Sequence, residues 1–586
     1  MPGLPDTETR HSVMAMHNSE IADLFEQLAD LLEIREDNPF RIRAYRNAAR
    51  VIRGHARSMS ELVDAGADLA ELPGIGADLA GKIATIVHTG KLPLLDQLRA
   101  KVPRPLVEMT RIEGLGPKRA KALYRALRIR SLEDLQRAAR SGRIREIKGF
   151  GARTEQLIGQ RAARIASTGR RIKLADAEDL VGPLVERLRA VDGVRAVEVA
   201  GSYRRRRDTV GDLDLVVSAS RDAAGVMEAF VGHEDVAEVL AKGSTRGTVR
   251  LRNGVQVDLR VVNPASFGAA LYYFTGSKAH NIAVRKLAIA RGLKLNEYGL
   301  FKGDRSVGGR TEQDVFDAVD LPFIPPELRE DRGEIEAARK KRLPALVEVT
   351  DIRGDLHCHT KATDGRDTLE AMARAAAARG YEYVSANDHT KRVSIAHGLD
   401  RRRLLQQVRA IDKLNAKLQG IVVLKSAEVD ILDDGSLDLP DSVLKELDFT
   451  VCAIHYGLNR SREKQTGRIL RAMDNPYFTI LAHPTGRLIN AREPYDIDLE
   501  RVLTAARERG RILEVNAHPD RLDLDDRGCR MAKEAGVRLA ISTDAHRVAD
   551  LDLMRFGIDQ ARRGWLEPDD IVNTRPLAEL RQILRP

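Results

Sequence analysis

The spacing of apolar positions divides this chain into three kinds of sequence. From Ile21 to Ala56 they recur at helical intervals, with Leu24, Leu28, Leu31 and Leu32 in phase, which predicts helices. In Val255-Gln-Val-Asp-Leu-Arg-Val the period falls to two. Val255, Val257, Leu259 and Val261 share one face, and Gln256, Asp258 and Arg260 share the other, as in a half-buried strand. After residue 350, apolar runs end in a histidine or an acid: Arg353-Gly-Asp-Leu-His-Cys-His, Val384-Ser-Ala-Asn-Asp-His, Val422-Val-Leu-Lys-Ser-Ala-Glu, Phe449-Thr-Val-Cys-Ala-Ile-His, Phe478-Thr-Ile-Leu-Ala-His and Leu539-Ala-Ile-Ser-Thr-Asp-Ala-His. Helical segments such as Leu369–Ala378 alternate with them. Strands alternating with helices predict a parallel barrel whose strand C-termini converge, so the residues at those ends meet.

Glycines punctuate the first part. Leu72-Pro-Gly-Ile-Gly, Ile112-Glu-Gly-Leu-Gly and Ile147-Lys-Gly-Phe-Gly each precede a segment with Lys or Arg. This is a helix-hairpin-helix pattern. Gly74 with Gly76, Gly114 with Gly116 and Gly149 with Gly151 permit tight turns, and the helix N-terminus that follows offers free N–H groups to a phosphate. Three copies in one basic segment predict sequence-independent contact with a DNA backbone.

In Gly201–Val216, GSYRRRRDTVGDLDLV, Asp212 and Asp214 lie two apart and share one face of a strand. Paired carboxylates repel and draw cations between them, and hard oxygen ligands suit Mg²⁺ or Mn²⁺. Gly201-Ser202 turns after the strand-like run Val197–Ala200, and Arg204 to Arg207 follow. An exposed strand end and a solvated arginine patch would explain Asp-Leu-Asp taken alone. The complete arrangement resembles the signature of polymerase-beta-like nucleotidyltransferases, which use a third carboxylate from a nearby strand. Asp258 is its counterpart.

That resemblance implies two Mg²⁺ or Mn²⁺ ions on Asp212, Asp214 and Asp258, with Gly201, Ser202, Arg205 and Gly211 at the nucleotide. Leu271-Tyr-Tyr-Phe-Thr-Gly-Ser resembles the YFTGS element of the same family. It implies that Tyr273, Phe274, Gly276 and Ser277 bind the incoming nucleotide, and that Asn281 and Arg285 touch the nascent base pair and the template minor groove. Lys278 stands in place of an acidic residue and Gln256 in place of a basic one. Phe40-Arg-Ile-Arg-Ala-Tyr-Arg and Leu72–Lys82 resemble the polymerase-beta lyase domain, which implies Lys82 as the Schiff-base nucleophile toward a 5′-deoxyribose phosphate. Gly81 replaces the acidic neighbour usual there, and a phosphate-binding or solvated lysine is the alternative.

The histidine-rich runs closely resemble the polymerase-and-histidinol-phosphatase (PHP) domain, a distorted barrel with up to three metal ions. The resemblance implies the ligands His357, His359, Asp364, His389, Glu428, His455, His483, Asp544 and His546. Mixed imidazole and carboxylate ligation suits Zn²⁺, Mn²⁺ or Fe²⁺. Cys358 is expected to pack away from the site, and His397 and His518 have no assigned role.

Over 586 residues the hydrophobic content is 43%, and the net charge of +10 favours a polyanionic partner. Aromatics at 4% argue against base stacking as the main mode of binding. No apolar run approaches the ~20 residues of a membrane span. Three scattered cysteines fit a reduced, cytoplasmic setting. The expected architecture is a disordered leader (1–15, with Met14 or Met16 as alternative starts), an all-α lyase-like helix-hairpin-helix domain (16–95) and a second helix-hairpin-helix domain (96–177). An α+β nucleotidyltransferase palm (178–263), a thumb-like nucleotide-selecting domain (264–325), a charged linker (326–350) and the distorted (β/α) PHP barrel (351–586) follow. This order resembles that of a bacterial family X DNA polymerase. The expected function is short-gap filling in base excision repair on gapped or nicked DNA with dNTPs. The barrel would add a 3′–5′ exonuclease, 3′-phosphatase or abasic-site endonuclease. The rivals are a repair nuclease whose palm only positions DNA and a non-catalytic DNA-binding scaffold. A monomer is expected.

Overall fold

The computed structural model describes residues 18–584 apart from 55–58, 73, 90–91, 100, 104–105, 107–108, 111, 113–114, 130, 169–170 and 221–222. The expected leader and Gly114 lie outside the described residues. Two compact units divide at Arg170–Arg171.

The first unit is helical. Helices Asn18–Ile34 and Pro39–Gly54 bury Phe25, Leu28, Leu32, Tyr45 and Ile52, and one apolar core runs from Ile21 to Ala162. That core continues across the expected division near residue 95. The glycine repeat is a structural repeat. The amides of Ile75, Leu115 and Phe150 donate to the carbonyls of Leu72, Ile112 and Ile147 at 2.9, 2.8 and 3.0 Å. Each of those three apolar residues is buried, while Gly76, Gly116 and Gly151 stay exposed at the turn. Gly74 and Gly149 have φ of +84° and +93°, a conformation side chains resist. Helices Ala77–Thr89, Pro117–Leu127 and Ala152–Thr168 follow the three turns.

The second unit begins with a five-stranded sheet in the order Val194–Val199, Asp212–Ala219, Gln256–Val262, Arg246–Leu251, Val236–Lys242. Strands Asp212–Ala219 and Gln256–Val262 run parallel and the other neighbours antiparallel. Helices Leu174–Arg189 and Ala223–Val231 share a core with the sheet through Val181, Leu184, Leu188, Met227 and Phe230. Helices Phe267–Thr275, Lys278–Ala290 and Glu312–Asp317 and a small sheet come next.

The charged run expected as a linker is anchored by a few buried residues, while residues 339–342 stay exposed. Leu328 and Ala338 are 1% exposed, and Glu334, fully buried, lies 2.7 Å from the equally buried His280. Arg329 is also fully buried. It donates to Glu312 and to the Ile324 carbonyl at 2.6 and 2.8 Å, and its guanidinium lies against Tyr272, Phe316 and Phe323. A buried cation is tolerated when paired, and removing its partner costs about 3–5 kcal/mol.

The last part holds two parallel sheets. Gly354–Asp355, Tyr383–Ala386 and Val422–Lys425 form the first. Glu428–Asp430, Val451–Ala453, Ile480–Leu481, Ile512–Asn516 and Leu539–Ser542 form the second. Isolated parallel bridges His389–Glu428 and Cys358–Ala545 join strand ends. Strands of two to five residues are too short to keep the ladders continuous through every bend. This part is docked on the preceding ones: Leu522 and Phe556 enter the five-stranded sheet's core, and Trp565 enters the next. Arg487–Asp208, Arg332–Asp526 and Arg562–Glu327 pair at 3.2, 2.7 and 2.8 Å. No helix among the described residues is long and apolar enough to cross a membrane.

Candidate active sites

Asp212 and Asp214 lie at the start of the second strand of the five-stranded sheet, and the parallel neighbour sets Asp258 directly beside Asp214. Asp212 is exposed; Asp214 and Asp258 are half-buried. Burial, with the charges of Asp212 and Asp258, pushes the Asp214 carboxyl up to about 7. Thr248 Oγ1 and Gln256 Nε2 donate to the two oxygens of Asp258 at 2.6 and 2.7 Å. Gln256, a departure from the family pattern, thus orients the third carboxylate. An all-oxygen donor set in which one carboxyl is kept near neutrality by its neighbours fits hard divalent cations.

Gly201 has φ +62°, and a Cβ there would lie 2.5 Å from Asp214 Oδ2. The glycine lets the turn close on the carboxylate. Ser202 is half-buried on that turn, and Gly211 packs beside Arg171. The arginine run is neither a solvated patch nor a row of free cations. Arg204 binds Glu312 at 2.6 Å, Arg205 binds Glu330 at 3.1 Å and the Thr275 carbonyl, and Arg206 binds Glu178 at 2.8 Å. Arg207 lies 3.6 Å from Glu330. The carboxylates come from segments distant in sequence.

Tyr273 and Phe274 meet edge to face at 5.2 Å. Arg285 lies 5.9 Å from the Tyr273 ring centre, and Arg260, two residues beyond Asp258, lies 5.4 Å from that of Phe274. Asn281 donates to the Tyr273 carbonyl at 2.7 Å, and Ser277 caps its helix by accepting from the His280 amide. Gly276 adjoins the Arg205 guanidinium. These contacts link the group to Arg205 and Arg260, whose charges also act on Asp214.

All nine histidine and acid positions of the last part gather at the strand ends. Glu428, 1% exposed, is the hub: His389 Nδ1, His483 Nε2, His455 Nε2, His357 Nε2 and His359 Nε2 lie 2.8, 3.0, 3.2, 3.5 and 3.5 Å from its oxygens. His359 Nε2 is 3.1 Å from Asp544, and Asp364 lies 3.4 Å from His389 and 3.5 Å from His546. Three groups present ligand atoms within 4.8 Å of one another: His359, Asp364, His389 and His546; His357, His359 and Asp544; His389, Glu428 and His455. Nδ1 of His359 and of His483 is buried with no hydrogen-bond partner. Burial and the neighbouring His546 and His389 push His359 down to about 4. A largely buried cluster of imidazoles and acids, open at Asp364 and His546, fits transition-metal ions.

Two residues missed in the sequence complete it. Glu514 and Asp430 are fully buried. Glu514 lies 2.7 Å from His357 Nδ1 and accepts the His483 amide at 2.7 Å, and Asp430 lies 3.0 Å from His455 Nδ1. An acid inside the apolar run Ile512-Leu-Glu-Val was the available signal for Glu514. Asp430 shares the alternation of Glu428. Cys358 is buried on the bridge to Ala545, His397 is exposed, and the half-buried His518 receives the Asp520 amide.

In the first unit Lys82 lies on the helix after the first hairpin. It pairs with Asp78, one turn earlier, and sits 5.9 Å from the Tyr45 ring centre.

Comparison with known proteins agrees with this architecture. Residues 16–92 match a helix-hairpin-helix domain, residues 106–164 a SAM-like helix-hairpin-helix tandem and residues 270–330 the DNA polymerase beta thumb. Probable phosphatases of Thermoanaerobacter sp. and Caldanaerobacter subterraneus are each 30% identical over 232 and 246 residues, covering 38% and 39% of this chain and 89% and 90% of theirs. The DNA polymerase/3′-5′ exonuclease PolX of Bacillus subtilis is 35% identical over 574 residues, 97% of this chain and 100% of that protein. With carboxylates paired on parallel strands, a polymerase-beta thumb and a histidine-rich C-terminal centre, the chain belongs to the PolX family of family X DNA polymerases.

Proposed function

We propose that this protein is a DNA polymerase that fills short gaps in base excision repair and carries a second, metal-dependent phosphoesterase centre acting on DNA 3′ ends. The in-register pair Asp214–Asp258, with Asp212 beside it, carries the first part. Asp212, Asp214 and Asp258 would hold two Mg²⁺ or Mn²⁺ ions. Such ions neutralise phosphate charge and favour deprotonation of a primer 3′-hydroxyl. The chain's own work is positioning. Thr248 and Gln256 fix Asp258, Gly201 gives Asp214 its room, and Tyr273, Phe274, Gly276, Ser277, Asn281 and Arg285 line the space for a dNTP and its template. Arg205 and Ser202 stand at the triphosphate end, where Arg205 must exchange part of its pairing with Glu330 for phosphate.

The nine-residue cluster would hold up to three Zn²⁺, Mn²⁺ or Fe²⁺ ions, which activate water toward a phosphoester. Glu514 and Asp430 accept hydrogen bonds from Nδ1–H of His357 and His455, so each Nε2 lone pair faces the cluster. The three hairpins, with Gly74, Gly76, Gly114, Gly116, Gly149 and Gly151, grip the DNA backbone. The deciding experiment incubates one-nucleotide-gapped, 5′-phosphorylated DNA with Mg²⁺ or Mn²⁺ and dNTPs. One-nucleotide extension is expected, and a metal-loaded protein that degrades DNA without extending it would leave only the nuclease. A further lyase reaction at Lys82 is supported by its place on the helix Ala77–Thr89 that follows the first hairpin, and it requires the amine to leave its pairing with Asp78. Borohydride trapping on a 5′-deoxyribose phosphate should be lost in Lys82→Ala, and equal trapping would make Lys82 a phosphate contact.

A further inference from the structure

One rim of the C-terminal cluster carries side chains that the ligand set leaves unused. The rings of His389 and His455 stand 5.2 Å apart. Tyr456 directly follows His455, and Arg392 comes three residues after His389. The two meet, with the Arg392 guanidinium 5.1 Å from the centre of the Tyr456 ring. The Tyr456 residue is 37% exposed and the Arg392 side chain 49%, with its Nε at the long distance of 4.0 Å from Asp430. Past Arg392 the chain makes one 3-10 turn, Ser394–Ala396, with Ile395 88% exposed, the most exposed large hydrophobic among the described residues.

That isoleucine has no means of folding inward, because its loop is bonded on both sides. Val393 and Ala396 are buried. The Val393 amide donates to Thr390 at 3.0 Å, and the Ala396 and Gly398 amides both donate to Val393 at 3.1 and 3.2 Å. The Arg403 guanidinium ties down the carbonyls of His397 and Gly398 at 2.6 and 3.2 Å. Lys391, exposed at the base of the loop, has no ion pair among the described residues. The rim thus offers an aromatic face, two cations and a rigid apolar knob beside a phosphate-handling centre. Scattered exposed hydrophobics are ordinary in proteins. One held rigid beside a guanidinium-backed ring matches single-stranded nucleic acid, whose bases stack on aromatic faces and whose phosphates pair with basic groups. Apolar side chains pushed between bases unstack them.

We propose that this rim receives the 3′-terminal nucleotide of a DNA strand. Its base stacks on Tyr456, Arg392 and Lys391 pair with the flanking phosphates, and Ile395 wedges against the next base pair so that the terminal base enters unpaired. The inference rests on the reading of the cluster as a phosphoesterase for DNA 3′ ends, and adds to it how the end is selected. The test uses the full-length protein with Mn²⁺ on three substrates: a single-stranded oligonucleotide, a blunt duplex, and p-nitrophenyl phosphate, which has no base to stack.

Tyr456→Ala should lower kcat/KM on the oligonucleotide about 10- to 100-fold, in the range of one lost stacking contact, while p-nitrophenyl phosphate turnover and bound metal change less than about twofold. Tyr456→Phe should restore the oligonucleotide rate. Ile395→Ser should slow duplex ends about tenfold relative to single strands. DNA degradation unchanged in Tyr456→Ala and Ile395→Ser would overturn the proposal. An equal loss on DNA and on p-nitrophenyl phosphate would also do so, because the residues would then support the centre rather than the substrate. A metal-loaded wild-type protein that hydrolyses no phosphoester at all would remove the phosphoesterase reading, and this inference with it.

Discussion

The two acid-bearing centres of the larger unit are built on opposite plans. The first takes three carboxylates from two adjacent strands and leaves Asp212 open to water. The second takes nine groups from separate strand ends and buries its hub, Glu428, to 1% exposure. The first depends on register. A slip of one residue between Asp212–Ala219 and Gln256–Val262 would move Asp258 away from Asp214 and onto the wrong face. The second depends on closure, since His357, Glu428 and Asp544 meet only when both parallel sheets are in place. An open oxygen site should exchange its cations with solvent, and a largely buried, imidazole-rich site should keep them.

The largest effect that would break this contrast comes from exchanging the defects. Asp212→Ala with Asp214→Ala should lower nucleotide addition at least about a thousandfold, with 3′–5′ degradation retained. His357→Ala with His359→Ala should do the reverse and lose transition metal by elemental analysis. Loss of both activities in a folded His357/His359 variant would show that the centres are not separable. Next, Gly201→Ala places a methyl 2.5 Å from Asp214 Oδ2 at φ +62°. Polymerisation should fall between about 10- and 100-fold, because a small displacement of a reacting group is costly, while degradation is unchanged. Glu514→Gln sharpens the other side. It weakens the support of His357 and His483 and should lower metal affinity about 10- to 100-fold, read by chelator competition, without touching gap filling.

The smallest effect is one of pH. Asp214 titrates at about 7 in the folded protein against an ordinary 3.8, so its contribution to stability is complete below about pH 4 and lost as the pH rises through 7. Without divalent ions the larger unit should therefore be less stable at pH 8 than at pH 4, by a few kcal/mol from this group. Mg²⁺ should restore the difference, and Asp258→Asn should reduce it. Urea midpoints with and without Mg²⁺ at the two pH values measure it, and a pH-independent Mg²⁺ effect would contradict the crowding of these carboxylates.

Strand alternation made much of both centres legible. Period two sets Asp212 beside Asp214 and puts Asp258 on a polar face, and apolar runs ending in His or Asp mark strand ends in a parallel sheet. The three hairpins were legible because a tight turn admits few residues besides glycine. What the chain hid was long-range pairing. Four consecutive arginines suggest solvent, yet Glu178, Glu312 and Glu330 reach them from segments far away along the chain. The acidic and basic run near Glu327 suggests a linker for the same reason, because the partners that bury it, His280 and Trp565 among them, lie far off in sequence. Glu514 follows no motif; only its burial beside two ligand histidines gives it a role.

Leu522, Phe556 and Trp565 have a consequence for how this chain can be divided. The probable phosphatases align with only 38–39% of it, so a comparable domain exists as a protein in its own right. Here the same domain has surrendered part of its skin. Cut free near residue 350, it would show water two aromatic side chains and a leucine now enclosed by its neighbours, and would leave Asp208, Glu327 and Arg332 without their counterions. A shared boundary has become shared interior, so the polymerase and phosphoesterase parts of this molecule are distinct in chemistry but inherit a single fate in folding.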